Sequence, residues 1–160
     1  MRLACRLAFI AILVAIGSGA GVAQDAAIPS DLLIKLERTA CFGSCPVYSV
    51  TLDAKGNVSF SSTKGDGTLV QQTDRIAVSE VAAVLATARR IGFFEMRDSY
   101  RAMITDLPTT FVTITANGHT KKIEDYFGAP RELKQLEILI DEAARTQRWL
   151  KMQAPQVPAK

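Results

Sequence analysis

Histidine is almost missing from this 160-residue chain, where His119 is the only one. A Ser-His-Asp or Cys-His catalytic arrangement would have to use it, and no serine lies in a nucleophile-elbow motif. His119 follows the Asn117-Gly118 turn, where a solvated side chain is the ordinary reading. Zinc sites normally take four ligands, so the scarcity of His and Cys leads us to expect no metal and no cofactor. Basic clusters are scarce too, none being longer than the pairs Arg89-Arg90 and Lys121-Lys122. Nucleic-acid binding needs a concentrated basic stripe, and that partner class is excluded. Lys64-Gly-Asp-Gly67 lacks the spacing and Gly-Lys-Ser/Thr ending of a phosphate loop.

Long hydrophobic runs are also absent. The longest, Leu7 to Ile16, is shorter than the roughly 20 residues a membrane-spanning helix needs. It follows Arg2 and Arg6 and precedes the small-residue stretch Gly17 to Ala23. A basic start, a short apolar core and small residues before a cleavage point make up a secretory signal. We expect residues 1–23 to be removed between Ala23 and Gln24. The mature protein would be periplasmic or secreted, with no membrane insertion after cleavage. Loss of Arg2 and Arg6 leaves 17 of the 19 basic residues against 16 acidic ones, close to neutrality.

Cys5 leaves with the signal, so two of the three cysteines remain, in Cys41-Phe-Gly-Ser-Cys45-Pro46. In an oxidising compartment this spacing favours a structural disulfide, with Gly43 letting the two Cα atoms approach. Thiol–disulfide redox chemistry is the alternative. It would need an accessible, low-pKa thiol, and the spacing is one residue longer than Cys-x-x-Cys. Metal-bound or free thiols are the remaining readings.

Residues 24–30 are small and polar, a flexible lead-in to a single domain over 31–151, with a disordered tail at 152–160. Leu32, Ile34 and Leu36 alternate with Lys35 and Glu37, the mark of a half-buried strand. Tyr48, Val50 and Leu52 alternate again, with a strand start expected at Pro46, which has no N–H for a ladder bond. Asp53 to Asn57 supplies a turn and Val58 to Phe60 a return strand. Leu69 to Thr73 reads as a short edge strand. Ser79 is the expected N-cap of a helix carrying Val81, Val84, Leu85, Ala88 and Ile91 at helical spacing and stopping at Gly92. Phe93, Phe94 and Met96 read as core filling beneath its end.

Arg97 to Pro108 reads as a loop, and Thr110–Ala116 and His119–Phe127 as a hairpin about Asn117-Gly118. Ala129-Pro130 opens a last helix, with Leu133, Leu136, Ile140, Ala143 and Ala144 as its apolar stripe, ending near Trp149-Leu150. We therefore expect an α+β two-layer domain: a mainly antiparallel sheet of four to five strands with two helices, in the order strand pair, helix, strand pair, helix.

Arg38-Thr-Ala-Cys-Phe-Gly-Ser-Cys-Pro-Val-Tyr48 resembles the opening motif of an uncharacterised bacterial family of exported domains, domain of unknown function family 6438. Thr105–Thr109, Phe127–Leu133 and Ile140-Asp141 resemble it as well. The resemblance implies an extracytoplasmic domain and brings no catalytic residue with it.

Carboxylates alone supply no catalytic arrangement here. Asp106 precedes Leu107-Pro108, where it serves a turn, and Glu124 and Asp125 are adjacent in a strand and so face opposite ways. A carboxylate hydrolase would require a concave acidic pocket. The reading we carry forward is a non-enzymatic binding or interaction module with a Cys41–Cys45 disulfide loop. Its partner would be an envelope protein or a small ligand, and its contact surface Arg38, Phe42, Tyr48, Tyr100, Arg101 and Asp106.

Overall fold

A computed structural model describes residues 27–153. The expected signal, the start of the lead-in and the tail from residue 154 lie outside the described residues. Seven strands form one mixed sheet: β1 (Leu33–Arg38), β2 (Tyr48–Asp53), β3 (Asn57–Thr63), β4 (Leu69–Arg75), β5 (Ser99–Tyr100), β6 (Thr110–Ala116) and β7 (His119–Asp125). Their order is β4-β3-β2-β1-β6-β7-β5, so β1 has three strands on each side. All pairings are antiparallel except β5 with β7.

Alternation along each central strand decides what is buried. Leu32, Ile34, Leu36, Val50, Leu52, Val58, Phe60, Val112, Ile114 and Ile123 form one core with the apolar stripes of α1 (Val78–Arg90) and α2 (Arg131–Ala144). The opposite phase carries Ser49, Thr51, Ser59, Ser61, Thr113 and Thr115, none of them buried. Hydroxyl and β-branched side chains suit a pleated surface wet on one side. The third helix, α3 (Thr146–Gln153), brings Trp149 onto Phe60, ring centroids 4.9 Å apart.

The two hairpins follow the expected turn chemistry. Asp53 Oδ1 accepts the backbone N–H groups of Lys55 and Asn57 at 2.8 and 2.9 Å. Asn117 and Gly118 both have positive φ, 54° and 75°, as a two-residue hairpin turn requires. Their N–H groups donate to the Asp31 carboxylate at 2.9 and 2.6 Å.

Strand and helix counts exceed the expected four to five and two. β4 is polar along nearly its whole length and lies at a sheet edge, so no apolar alternation marks its extent. β5 is two residues within the segment expected to be loop, and its parallel pairing makes the sheet mixed. The expected single last helix breaks at Arg145, whose φ is 55°, and α3 resumes at Thr146. Residues 152 and 153 therefore belong to α3 and not to a tail.

Two element starts also move. Ala77, not Ser79, is the N-cap of α1, because Glu80 Oε2 reaches back to accept its N–H at 2.9 Å. β2 begins at Tyr48 and not Pro46, since the disulfide loop holds the two intervening residues outside the ladder. Phe93 is buried and meets Phe94 edge-on at 5.6 Å, the core-filling role expected of that pair.

Gly56 carries the tightest backbone approach among the described glycines. Its φ is 81°, and a Cβ there would lie 2.3 Å from the Ile76 carbonyl oxygen. Gly56→Ala is expected to destabilise the fold by at least about 2 kcal/mol, read as a lowered urea midpoint. An unchanged midpoint would refute this account of the β2–β3 turn.

Candidate functional site

Arg38 is the last residue of β1, in phase with Ile34 and Leu36, so its guanidinium emerges where the apolar stripe of the middle strand ends. Register places Tyr48 of β2 and Thr110 of β6 directly opposite it. The row continues outward to Asp125 of β7, the partner of Thr110, and to Tyr100 of β5, the partner of Asp125. One cross-strand row is thus polar or amphipathic along its length, and it faces α2.

The side chains of α2 complete the cluster. Glu137 and Asp141 lie one helical turn apart on its inner face, with Lys134 a turn before Glu137. Asp141 is fully engaged. Its Oδ1 accepts the Tyr48 hydroxyl at 2.8 Å and the Thr146 hydroxyl at 2.9 Å, and its Oδ2 accepts Arg38 Nη2 at 2.9 Å. Thr146 reaches back because α2 has broken at Arg145. Arg38 also donates through Nε to Tyr48 Oη and through Nη1 to Thr110 Oγ1, both at 2.9 Å. Burial, then the Asp141 charge, pushes the Tyr48 hydroxyl up to about 12. Tyr48 therefore stays protonated and donating.

Asp125 and Glu137 are placed differently. Both are buried, and Asp125 Oδ1 and Glu137 Oε1 meet no donor from the protein, while Asp125 Oδ2 has only the ion pair with Lys134. Lys134 Nζ forms an ion pair with Asp125, and Arg38 Nη1 stands 3.7 Å from Glu137 Oε2. Burial first, then the neighbouring Asp125 carboxyl, pushes Glu137 up to about 8. One proton held between the two carboxyl groups resolves the contact of two buried acceptors.

Two open clefts flank this cluster, and Arg38 lines both. One, of about 640 Å³, runs over Thr110, Asp125 and Glu137 between Leu107, Phe127 and Ile138. The other, of about 590 Å³, lies over Tyr48 and Asp141 beside Arg145 and Leu150. A hollow of about 450 Å³ elsewhere is lined by Arg89, Phe94, His119 and Lys121, with no carboxylate among its lining residues. Among the described residues no group of three His, Cys, Asp or Glu side chains is placed to hold a metal ion.

Cys41 and Cys45 are joined, their Cα atoms 5.7 Å apart, in the loop that leaves the end of β1. Thr39 and Thr109 extend the β1–β6 pairing past the strands, through Thr39 N–H to Thr109 O at 3.0 Å and Thr109 N–H to Thr39 Oγ1 at 2.9 Å. Beyond them Phe42 N–H donates to Asp106 O at 3.3 Å, with Asp106 at φ 77°. The disulfide loop and the 101–109 loop are therefore tied together.

The six residues expected at a contact surface separate into two layers. Phe42, Arg101 and Asp106 are exposed on these loops. Arg38 and Tyr48 lie below, turned toward α2. Tyr100 is a correction: its register with Asp125 turns its ring into the core, where it is 6% exposed. Thr110, Lys134 and Glu137 went unread, and Asp125 was weighed only against its neighbour Glu124. The available signal was charge in an apolar phase, Asp125 two residues after Ile123 and Glu137 between Leu133 and Ile140.

Helices on one face of a mixed sheet, with a charged cluster buried at one sheet end, define an α+β domain built around a single polar row. The chain belongs to the family described as Domain of unknown function (DUF6438), which matches residues 32–144. That span runs from the start of β1 to the end of α2, and includes the cysteine motif. No curated protein matches the chain.

The raised Glu137 carboxyl has a defined pH consequence. It holds its proton more tightly folded than at its ordinary 4.5. Its contribution to stability is therefore complete below about 4.5 and lost as pH rises through about 8. Glu137→Gln keeps the shape and removes the titration. Between pH 5 and 9 wild-type stability is expected to fall by of order 2 kcal/mol more than the variant's, measured as urea midpoints. Parallel profiles would show that Glu137 does not titrate in the fold.

Proposed function

We propose that this domain is an exported, non-enzymatic binding module that meets an envelope protein through the paired loops at the Arg38 end of the sheet. The observation that carries this reading is Phe42, 89% exposed on a loop closed by Cys41–Cys45 and bonded to the neighbouring loop. Met103 of that second loop is fully exposed, and Ile104, Leu107 and Phe127 are partly so. Covering a large apolar side chain favours association by about 1.5–3 kcal/mol. A contiguous exposed apolar patch is the usual mark of an interaction surface.

Preorganisation supports the same reading. Tyr126 donates its hydroxyl to Ile104 O at 2.7 Å, and the Arg101 guanidinium stands 5.6 Å from the Tyr126 ring while pairing with Glu124 at 3.2 Å. Ordering such loops on binding costs little, because they are ordered beforehand. In this reading the disulfide is structural. Its loop closure is worth about 2 kcal/mol, and its main effect is to fix where Phe42 points. Export agrees with the signal-like sequence before Gln24 and with a cysteine pair suited to an oxidising compartment.

A photocrosslinking residue at Arg101 in the full chain is expected to capture a discrete envelope protein. Phe42→Ser and Met103→Ser should each cut that capture several-fold with the urea midpoint unchanged. Capture indifferent to both substitutions would sink the loop-surface reading.

Cys41→Ser is expected to fold and to lose about 2 kcal/mol. Equal midpoints under non-reducing conditions would contradict a stabilising disulfide. A reduction potential above roughly −300 mV would favour thiol redox chemistry over a structural bond.

A further inference from the structure

Asp125 and Glu137 bring two carboxyl groups to the floor of a cleft, and Asp141 beside them already accepts hydrogen bonds from Tyr48, Thr146 and Arg38. With Asp125, Glu137 and Asp141 all ionised, Arg38 and Lys134 leave the cluster one positive charge short. In the unliganded domain a proton between Asp125 and Glu137 supplies it. Lys134 shows what else fits: its ammonium pairs with Asp125 while half of its side chain stays in solvent. The oxygens left over, Asp125 Oδ1 and Glu137 Oε1, meet no donor from the rest of the protein and face each other across that proton. Above them the cleft walls are apolar, formed by Leu107, Pro108, Phe127 and Ile138.

We propose that this cleft binds a small organic molecule carrying a primary ammonium group on an apolar chain. The ammonium takes the place of the shared proton and donates to Asp125 Oδ1 and Glu137 Oε1, with Lys134 Nζ kept on Asp125 Oδ2, while the chain lies along Leu107, Phe127 and Ile138. Three N–H donors match the acceptors the fold leaves unused. A buried charge is stable when it is paired and hydrogen-bonded, and the incoming cation replaces the shared proton, which leaves to solvent. No covalent step is involved. The inference extends the binding reading to a small-molecule site below the loops; it shares Leu107 and Phe127 with that reading but not Phe42 or Met103, the side chains the loop test alters.

Binding should be coupled to pH. The groups facing the pair are Arg38 and Thr110 from the sheet and Lys134 and Asp141 from α2. Arg38 and Lys134 stand against the pair as its ion-pair partners, so the exchange concerns the proton between Asp125 and Glu137.

The test is a titration of the full chain, labelled for amide NMR, with n-butylammonium chloride, and with n-butanol as the uncharged analogue at matched salt. Saturable shifts at Tyr126 to Gly128 are expected for n-butylammonium, with n-butanol at least about tenfold weaker, a difference near 1.4 kcal/mol. Affinity should rise several-fold from pH 6 to pH 8. Glu137→Gln should weaken binding about tenfold, and Lys134→Gln, which removes the positive charge beside the incoming ammonium, should tighten it several-fold at pH 8. Lys134 is half-exposed, so its variant keeps the test valid if Glu137→Gln does not fold. Equal response to n-butylammonium and n-butanol, no saturable response, or an affinity unmoved by Lys134→Gln would each overturn the proposal. These outcomes are independent of the loop crosslink, so either reading can fail alone.

Discussion

The Arg38 guanidinium ties the two layers of this domain together. It sits at the end of the middle strand, has Tyr48 and Thr110 as cross-strand neighbours, and reaches Asp141 on the covering helix. A planar donor fork serves three acceptors on three elements in one fixed, spread geometry, where the ammonium of a lysine is a compact point charge on a flexible stem. Its desolvation is offset because Asp141 takes donors from Tyr48 and Thr146 as well. The strand register, the tilt of α2 and the break at Arg145 must all be right for this one carboxylate to be satisfied. Buried networks of this kind specify a unique arrangement when every member is paired.

The neighbouring half of the cluster is less complete, and the contrast is informative. Asp141 has a donor for each oxygen, while Asp125 and Glu137 depend on a proton and on a lysine that is half in solvent. Unmet acceptors under an open cleft are costly to a fold, and natural proteins concentrate such costs where something binds. The cluster divides accordingly into a fully satisfied side beneath Tyr48 and, in the reading proposed above, a binding side beneath Phe127.

Much of the fold was legible because its core strands alternate cleanly. Leu32, Ile34 and Leu36 gave β1, and Asn117-Gly118 located the β6–β7 hairpin to the residue. β4 was legible only in part because an edge strand need not bury a face, and β5 hardly at all because two residues carry no period. The helix break at Arg145 left no mark, since a non-glycine residue takes positive φ there. Within the site, Arg38 and Tyr48 stood out from their place beside the cysteine motif. Asp125 and Glu137 did not, because their meaning depends on a register between β7 and α2 that spacing along the chain does not encode. Tyr100 read as a surface aromatic for the same reason.

The position of β1 carries one more consequence. Its pairing with β2 spans neighbours in the chain, and β1 through β4 form a continuous meander from Leu33 to Arg75. Its other edge waits for β6, whose Thr110 lies 72 residues beyond Arg38. Contacts of low sequence separation form quickly and distant ones slowly. During synthesis residues 33–75 therefore emerge before β6, and the second edge of β1 has no partner strand until the last third of the chain is made. Arg38 is therefore among the first residues in place and among the last to be satisfied, and the polar row becomes a record of complete folding.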